Sequence, residues 1–186
     1  RAGSWVSGTF GWWWRYEDGT YPTSTQLRID GAIYRFNARG YMVTGWVHED
    51  GEWFYYGSSG GQASGWVRVH GTWYYLDPIS GAMASGWMKV QGAWYYLSSS
   101  GAMRTGWVRD GSSWYYLTSS GSLSTGWQRV GSSWYYLSPD GGAMVTGWLK
   151  DGGSWFYLSS SGAMVTGARW IDGTRYVFDD DGRLMP

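Results

Sequence analysis

Read only for apolar and polar positions, the chain repeats itself. From Gly86 to Gly106 it runs GWMKVQGAWYYLSSSGAMRTG: a short apolar segment, a glycine-containing break, an aromatic run, then a Ser/Gly loop. Gly-Trp pairs at Gly45-Trp46, Gly65-Trp66, Gly86-Trp87, Gly106-Trp107, Gly126-Trp127 and Gly147-Trp148 lie 20 or 21 residues apart. A second tryptophan follows seven places later each time, at Trp53, Trp73, Trp94, Trp114, Trp134 and Trp155. Two short segments around a Gly turn are the signature of a β-hairpin. The predicted turn pairs are Asp50-Gly51, His70-Gly71, Gln91-Gly92, Asp110-Gly111, Val130-Gly131 and Asp151-Gly152. One two-stranded hairpin is marginal in water, so a fixed period near 20 predicts an all-β solenoid of stacked hairpins.

The same frame divides the chain. Residues 45–166 hold six full repeats. Residues 25–44 (TQLRIDGAIYRFNARGYMVT) keep the spacing but put Thr25-Gln26 for Gly-Trp and Ile33 for the second Trp. Residues 1–24 read as a partial repeat, with Trp13 at the second-tryptophan position by its distance from Thr25. Residues 167–186 place Ala168 and Arg175 where the tryptophans belong and read as a degenerate C-terminal cap, because an array needs an atypical last repeat.

Composition narrows the function. Lys plus Arg and Asp plus Glu are 14 each, which argues against a nucleic-acid or polyanion partner. The absence of Cys excludes disulfides and thiolate metal sites, and no apolar run is long enough for a membrane-spanning helix. A chain beginning at Arg1 without Met or leader reads as a mature product or an excised piece. His48 and His70 read as solvated turn residues, Asp179-Asp180-Asp181 as a solvated turn without a calcium-loop pattern, and the serine loops lack a base for nucleophilic chemistry. No metal, cofactor or catalytic site is expected.

The 17 Trp and 16 Tyr carry the chemistry. In an extended strand residues i and i+2 share a face, so Trp94 and Tyr96 point one way and Tyr95 and Leu97 the other. Two indoles on one hairpin and a tyrosine from the next outline a small aromatic box, and such a box attracts a quaternary ammonium through the ring quadrupoles. Tyr74, Tyr95, Tyr115, Tyr135 and the leucines are expected to be core. The degenerate repeats drop only the tryptophan pair, which separates the pair from the scaffold.

The unit GWxxxxGxWYYLxxxGxMxTG resembles the choline-binding repeat of bacterial cell-surface proteins and lysins, from about Trp12 to the end and most closely over 45–166. The resemblance implies a left-handed superhelix of hairpins with choline between consecutive repeats. It implies boxes of Trp46, Trp53 and Tyr75; Trp66, Trp73 and Tyr96; Trp87, Trp94 and Tyr116; Trp107, Trp114 and Tyr136; and Trp127, Trp134 and Tyr157, with Met83, Met103 and Met144 alongside. The choice of the second tyrosine rests on strand alternation. A sixth pair, Trp148 and Trp155 with Met164, meets Val177 and is expected to be incomplete. The resemblance further implies a non-catalytic, extracellular wall-attachment module whose partner is choline or phosphocholine on teichoic or lipoteichoic acid. Two alternatives stand beside it: a glucan-binding module like those of glucosyltransferases and clostridial large toxins, and the targeting module of a wall hydrolase whose catalytic domain lies elsewhere.

Overall fold

The computed structural model describes residues 2–186. Among the described residues all regular structure is antiparallel, in nine two-stranded sheets, each a hairpin. The first hairpins are β1 (Gly3–Gly8) with β2 (Gly11–Tyr16), β3 (Thr25–Ile29) with β4 (Ala32–Phe36), β5 (Gly45–Glu49) with β6 (Glu52–Tyr56), and β7 (Gly65–Val69) with β8 (Thr72–Leu76). Then come β9 (Gly86–Val90) with β10 (Ala93–Leu97), β11 (Gly106–Asp110) with β12 (Ser113–Leu117), and β13 (Gly126–Val130) with β14 (Ser133–Leu137). Last are β15 (Gly147–Asp151) with β16 (Ser154–Leu158), and β17 (Gly167–Ile171) with β18 (Thr174–Phe178). The chain forms two compact units, one of Arg1–Gly86 with Leu97–Met103, the other of Trp87–Tyr96 with Arg104–Pro186.

One register serves every repeat. Trp107 pairs with Tyr116 and Asp110 with Ser113; in the first unit Trp46 pairs with Tyr55 and Glu49 with Glu52. The seven-residue interval between tryptophans therefore always places the turn four and five residues after the first one. At Asp50-Gly51, His70-Gly71 and Gln91-Gly92 both turn residues have positive φ, as expected for a tight hairpin turn. At Asp110-Gly111, Val130-Gly131 and Asp151-Gly152 the sequence expectation is off by one. Asp110, Val130 and Asp151 end their strands, and the turns are Gly111-Ser112, Gly131-Ser132 and Gly152-Gly153. Cross-strand side-chain pairing sets the register there and overrides the local Asp-Gly signal.

Each hairpin then has two different faces. On β11–β12 the front carries Trp107, Arg109, Trp114 and Tyr116; the back carries Val108, Asp110, Tyr115 and Leu117. The core is a file of back-face residues closing each second strand. Leu76 and Leu97 in the first unit, and Leu117, Leu137 and Leu158 in the second, are all 0% exposed. Each caps a loop residue through an isolated bridge, as Leu117 does Leu123 and Leu137 does Met144.

Backbone bonds tie each loop to the hairpin of the preceding repeat. The amide N–H of Met83 donates to the Trp53 carbonyl, Met103 to Trp73, Leu123 to Trp94, Met144 to Trp114 and Met164 to Trp134, all at 2.7–2.9 Å. Buried strand edges thereby keep their hydrogen bonds without forming a continuous sheet. The same bond runs from Met42 to the Trp12 carbonyl. Trp12, not Trp13, is thus the second tryptophan of the first repeat; the register agrees, since Trp5 pairs with Trp14 as Trp107 does with Tyr116.

A candidate array of aromatic cages

The two indoles of a repeat meet edge to face on the front of their hairpin. The rings of Trp46 and Trp53 lie 6.4 Å apart, as do those of Trp66 and Trp73 and of Trp107 and Trp114; Trp148 and Trp155 lie 6.2 Å apart. Interplanar angles of 85–89° leave one face and one edge turned to the same space. The second indole of each pair is 40–44% exposed, whereas the residue that ends the same strand, Tyr56 or a leucine, is sealed. A ring that only packed the core would not be left so open.

A third ring arrives on the back of the following hairpin. Tyr74 lies 4.8 Å from Trp46, and Tyr115 lies 4.9 Å from Trp87. Tyr135 reaches Trp107, Phe156 reaches Trp127 and Tyr176 reaches Trp148, each at 4.9 Å. The loop bonds described above swing a methionine or leucine alongside. The resulting open pocket in the first unit, about 330 Å³, is lined by Trp46, Trp53, Tyr74, Met83, Ser99 and Ser100. In the second unit one of about 380 Å³ has Trp87, Trp94, Tyr115, Leu123, Asp110 and Gly141. Another of about 260 Å³ has Trp107, Trp114, Tyr135, Met144, Ser160 and Ser161. A fourth, about 330 Å³, has Trp127, Trp134, Phe156 and Met164, with Asp180, Asp181 and Arg183 at its rim. Each cage thus draws on three successive repeats: an indole pair, a ring with a loop residue, and a rim.

A family model for the choline-binding repeat matches residues 23–63, 43–85, 84–125 and 124–166. The chain belongs to the choline-binding repeat family. Among solved structures it is similar to choline-binding protein F of Streptococcus pneumoniae, crystallised in the presence of a peptidoglycan analogue. Identity is 35% over 94% of this chain and 61% of that one, with a TM-score of 0.82. It is similar to CbpJ of the same organism at 27% identity over 99% and 94% of the two chains, TM-score 0.79. It is also similar to the modular autolysin LytC of Streptococcus pneumoniae at 32% identity over 99% and 42%, TM-score 0.72. The chain therefore spans about three fifths of choline-binding protein F and two fifths of LytC. No curated protein sequence matches it.

Within these choline-binding repeats the tryptophan pairs stand where the sequence places them, but the closing ring does not. Tyr75, Tyr96, Tyr116, Tyr136 and Tyr157, expected from the next repeat, instead pack on the first indole of their own hairpin at 5.0–5.2 Å. The closing rings are the aromatics that directly follow the second-tryptophan position, including Tyr74, Tyr115 and Tyr135, which the sequence assigns to the core. Alternation correctly separates the two tyrosines; the error lies in which face meets the neighbour. Within each unit the back of a hairpin covers the front of the one before, so the back-face ring closes the cage. For the same reason Trp148 meets Tyr176 rather than Val177, and Met164 lines the Trp127 cage rather than that of Trp148. The acidic turn at 179–181 is a cage rim as well as a turn. Phe156, the rim residues and Asp110 are missed because no single repeat contains a whole cage.

Two repeats depart from the scheme. At Gln26 and Arg35, cross-strand partners standing for Trp107 and Tyr116, the aromatic front becomes polar. Gln26 donates to the Tyr56 hydroxyl at 2.9 Å, and Arg35 pairs with Glu49 at 2.5 Å. Burial raises the Tyr56 pKa above its ordinary value, and the bond from Gln26 opposes that only in part. At the other end, Trp170 and Arg175 face each other across β17–β18, exchanging the places of Lys150 and Trp155.

Proposed function

We propose that the chain is a non-catalytic, extracellular wall-attachment module that holds choline groups of teichoic or lipoteichoic acid in these aromatic cages. The observation that carries this reading is the half-open indole pair closed by a ring from the next hairpin. Such a box offers π faces from several directions and apolar contact to methyl groups, which a trimethylammonium satisfies without hydrogen bonds. Methionine supplies an adaptable wall. A desolvated cation–π contact contributes about 2 kcal/mol, so single cages are weak, and a polymer carrying many cholines gains about 10²–10⁴-fold by engaging several. The peptidoglycan analogue in whose presence choline-binding protein F was crystallised, and the autolysin LytC among the similar structures, support the extracellular placement. Similarity to a modular autolysin over two fifths of its length supports the reading that such a module can direct a hydrolase to the wall.

A calorimetric titration with choline chloride, run beside a neutral glucan oligosaccharide, tests the proposal. Saturable multi-site heat with choline alone is the expected result. Heat with the glucan alone moves the function to sugar recognition, and silence with both leaves the tryptophans a structural role.

A further inference from the structure

The cages are alike in rings but not in charge. Across the hairpin from the second tryptophan of each full repeat stands a basic residue or histidine. Arg68 pairs with Trp73, Arg109 with Trp114, Arg129 with Trp134, and Lys89 Nζ lies 5.8 Å from the Trp94 ring. What differs is the residue that ends the first strand of the following hairpin, on its back face. It is Val69 behind the Trp46 cage and Val130 behind the Trp107 cage. Behind the other two it is a carboxylate. Asp110 accepts a hydrogen bond from the Trp87 indole N–H at 3.0 Å, and Asp151 accepts one from Trp127 at 3.0 Å. The same place in β5 is Glu49, whose partner in the previous hairpin is the Arg35 guanidinium. An acid at this position thus turns back toward the preceding hairpin in all three cases.

Resting on the choline reading, we infer that the Trp87 and Trp127 cages form a carboxylate-bearing class that also takes ammonium groups retaining N–H, whereas the Trp46 and Trp107 cages are confined to quaternary ones. Methyl groups need only apolar contact. Each N–H that leaves water must find an acceptor, and a ring face is a weak one. Asp110 lines its cage and gives the indole only its Oδ2. At the Trp127 cage the acceptor is at the rim: Arg183 pairs with Asp181 at 2.6 Å and lies 3.9 Å from Asp179, while Asp180 takes no such partner among the described residues. A charged acceptor makes the stronger bond to an ammonium. The rims of the other class are uncharged, Ser99 and Ser100 at the one and Ser160 and Ser161 at the other, and offer an ammonium only neutral, weaker acceptors.

The test titrates the whole chain calorimetrically with choline and with ethanolamine, the primary ammonium of the same skeleton. Choline should fill more sites than ethanolamine, and ethanolamine should saturate only the two carboxylate cages. Asp110→Asn and Asp180→Asn, which keep size, should each weaken one ethanolamine site by about tenfold and weaken choline at the same site by less. Val130→Asp, placing an acid behind Trp107, should add an ethanolamine site. Ethanolamine binding nowhere, binding as many sites as choline, or being indifferent to all three substitutions would overturn the inference and leave the choline cages standing. Silence toward choline itself would remove the cage reading, and this selectivity with it.

Discussion

Hairpins β3–β4 and β11–β12 have one backbone and two different front faces. Thr25 pairs with Phe36 as Gly106 does with Leu117, and Phe36 bridges Met42 as Leu117 bridges Leu123. Phe36 and Leu117 are both fully buried. On the front, one presents Gln26 and Arg35 bonded to the next hairpin; the other presents Trp107 and Trp114 around open space, with Tyr116 packed on Trp107. The comparison teaches that the back face and the inter-repeat backbone bonds carry the fold. The front is free to be polar or to build a cage.

The largest effect should come from attacking what the two share. Leu117→Ala removes a sealed side chain and should cost about 2–5 kcal/mol, read as a lowered denaturation midpoint. Trp114→Ala, on the half-exposed front, should lower that midpoint far less. It should remove one choline from the stoichiometry, its cage losing about 2 kcal/mol, or about thirtyfold in affinity. Equal destabilisation by the two would erase the division between faces. A finer test sets Tyr135→Ala against Tyr136→Ala in the same titration. The first should weaken the Trp107 cage by about tenfold or more, and the second should act less, through its packing on Trp127. The reverse order would restore the second tyrosine as the closing ring.

The comparison can also be broken by construction. Gln26→Trp with Ile33→Trp and Arg35→Tyr should give the degenerate repeat its front face and raise the choline count by one. An unchanged count with an intact fold would show that the missing pair is not what silences it. The smallest effect concerns the polar front itself. The raised Tyr56 pKa means the folded state holds the phenolic proton more tightly than the unfolded state. That stability is fully present below pH 10 and is lost as pH rises through the folded value. Unfolding followed from pH 9 upward should show a decline that Tyr56→Phe flattens.

Much of this was legible in the residues. The seven-residue tryptophan interval and the 20-residue period define hairpins, repeats and family, and the absence of both indoles marks the repeats at 25–44 and 167–186. Local signals misled at Asp110-Gly111, where the pairing of whole strands outranks one dipeptide. Tyr115 and Tyr116 could be assigned to opposite faces, but only the stacking of hairpins says which face covers which. Trp12 and Trp13 are adjacent, so a one-place slip in an irregular repeat reverses their roles. Asp180 reads as a turn residue until a loop two repeats on is seen to close a cage.

The way each pocket is shared out among three consecutive repeats bears on how such a gene can change. Unequal recombination that drops or duplicates a 20-residue block joins a new pair of neighbours at an equivalent point. The tryptophans then meet a tyrosine and a loop from different parents, and the chimeric pocket still closes because the frame is common to all. What travels with the crossover is its temperament: a block ending its first strand in Asp confers an acid on whichever neighbour precedes it, and a block ending in Val does not. On the selectivity inferred above, copy number alone would reshuffle ligand preference in this lineage, without a single point mutation.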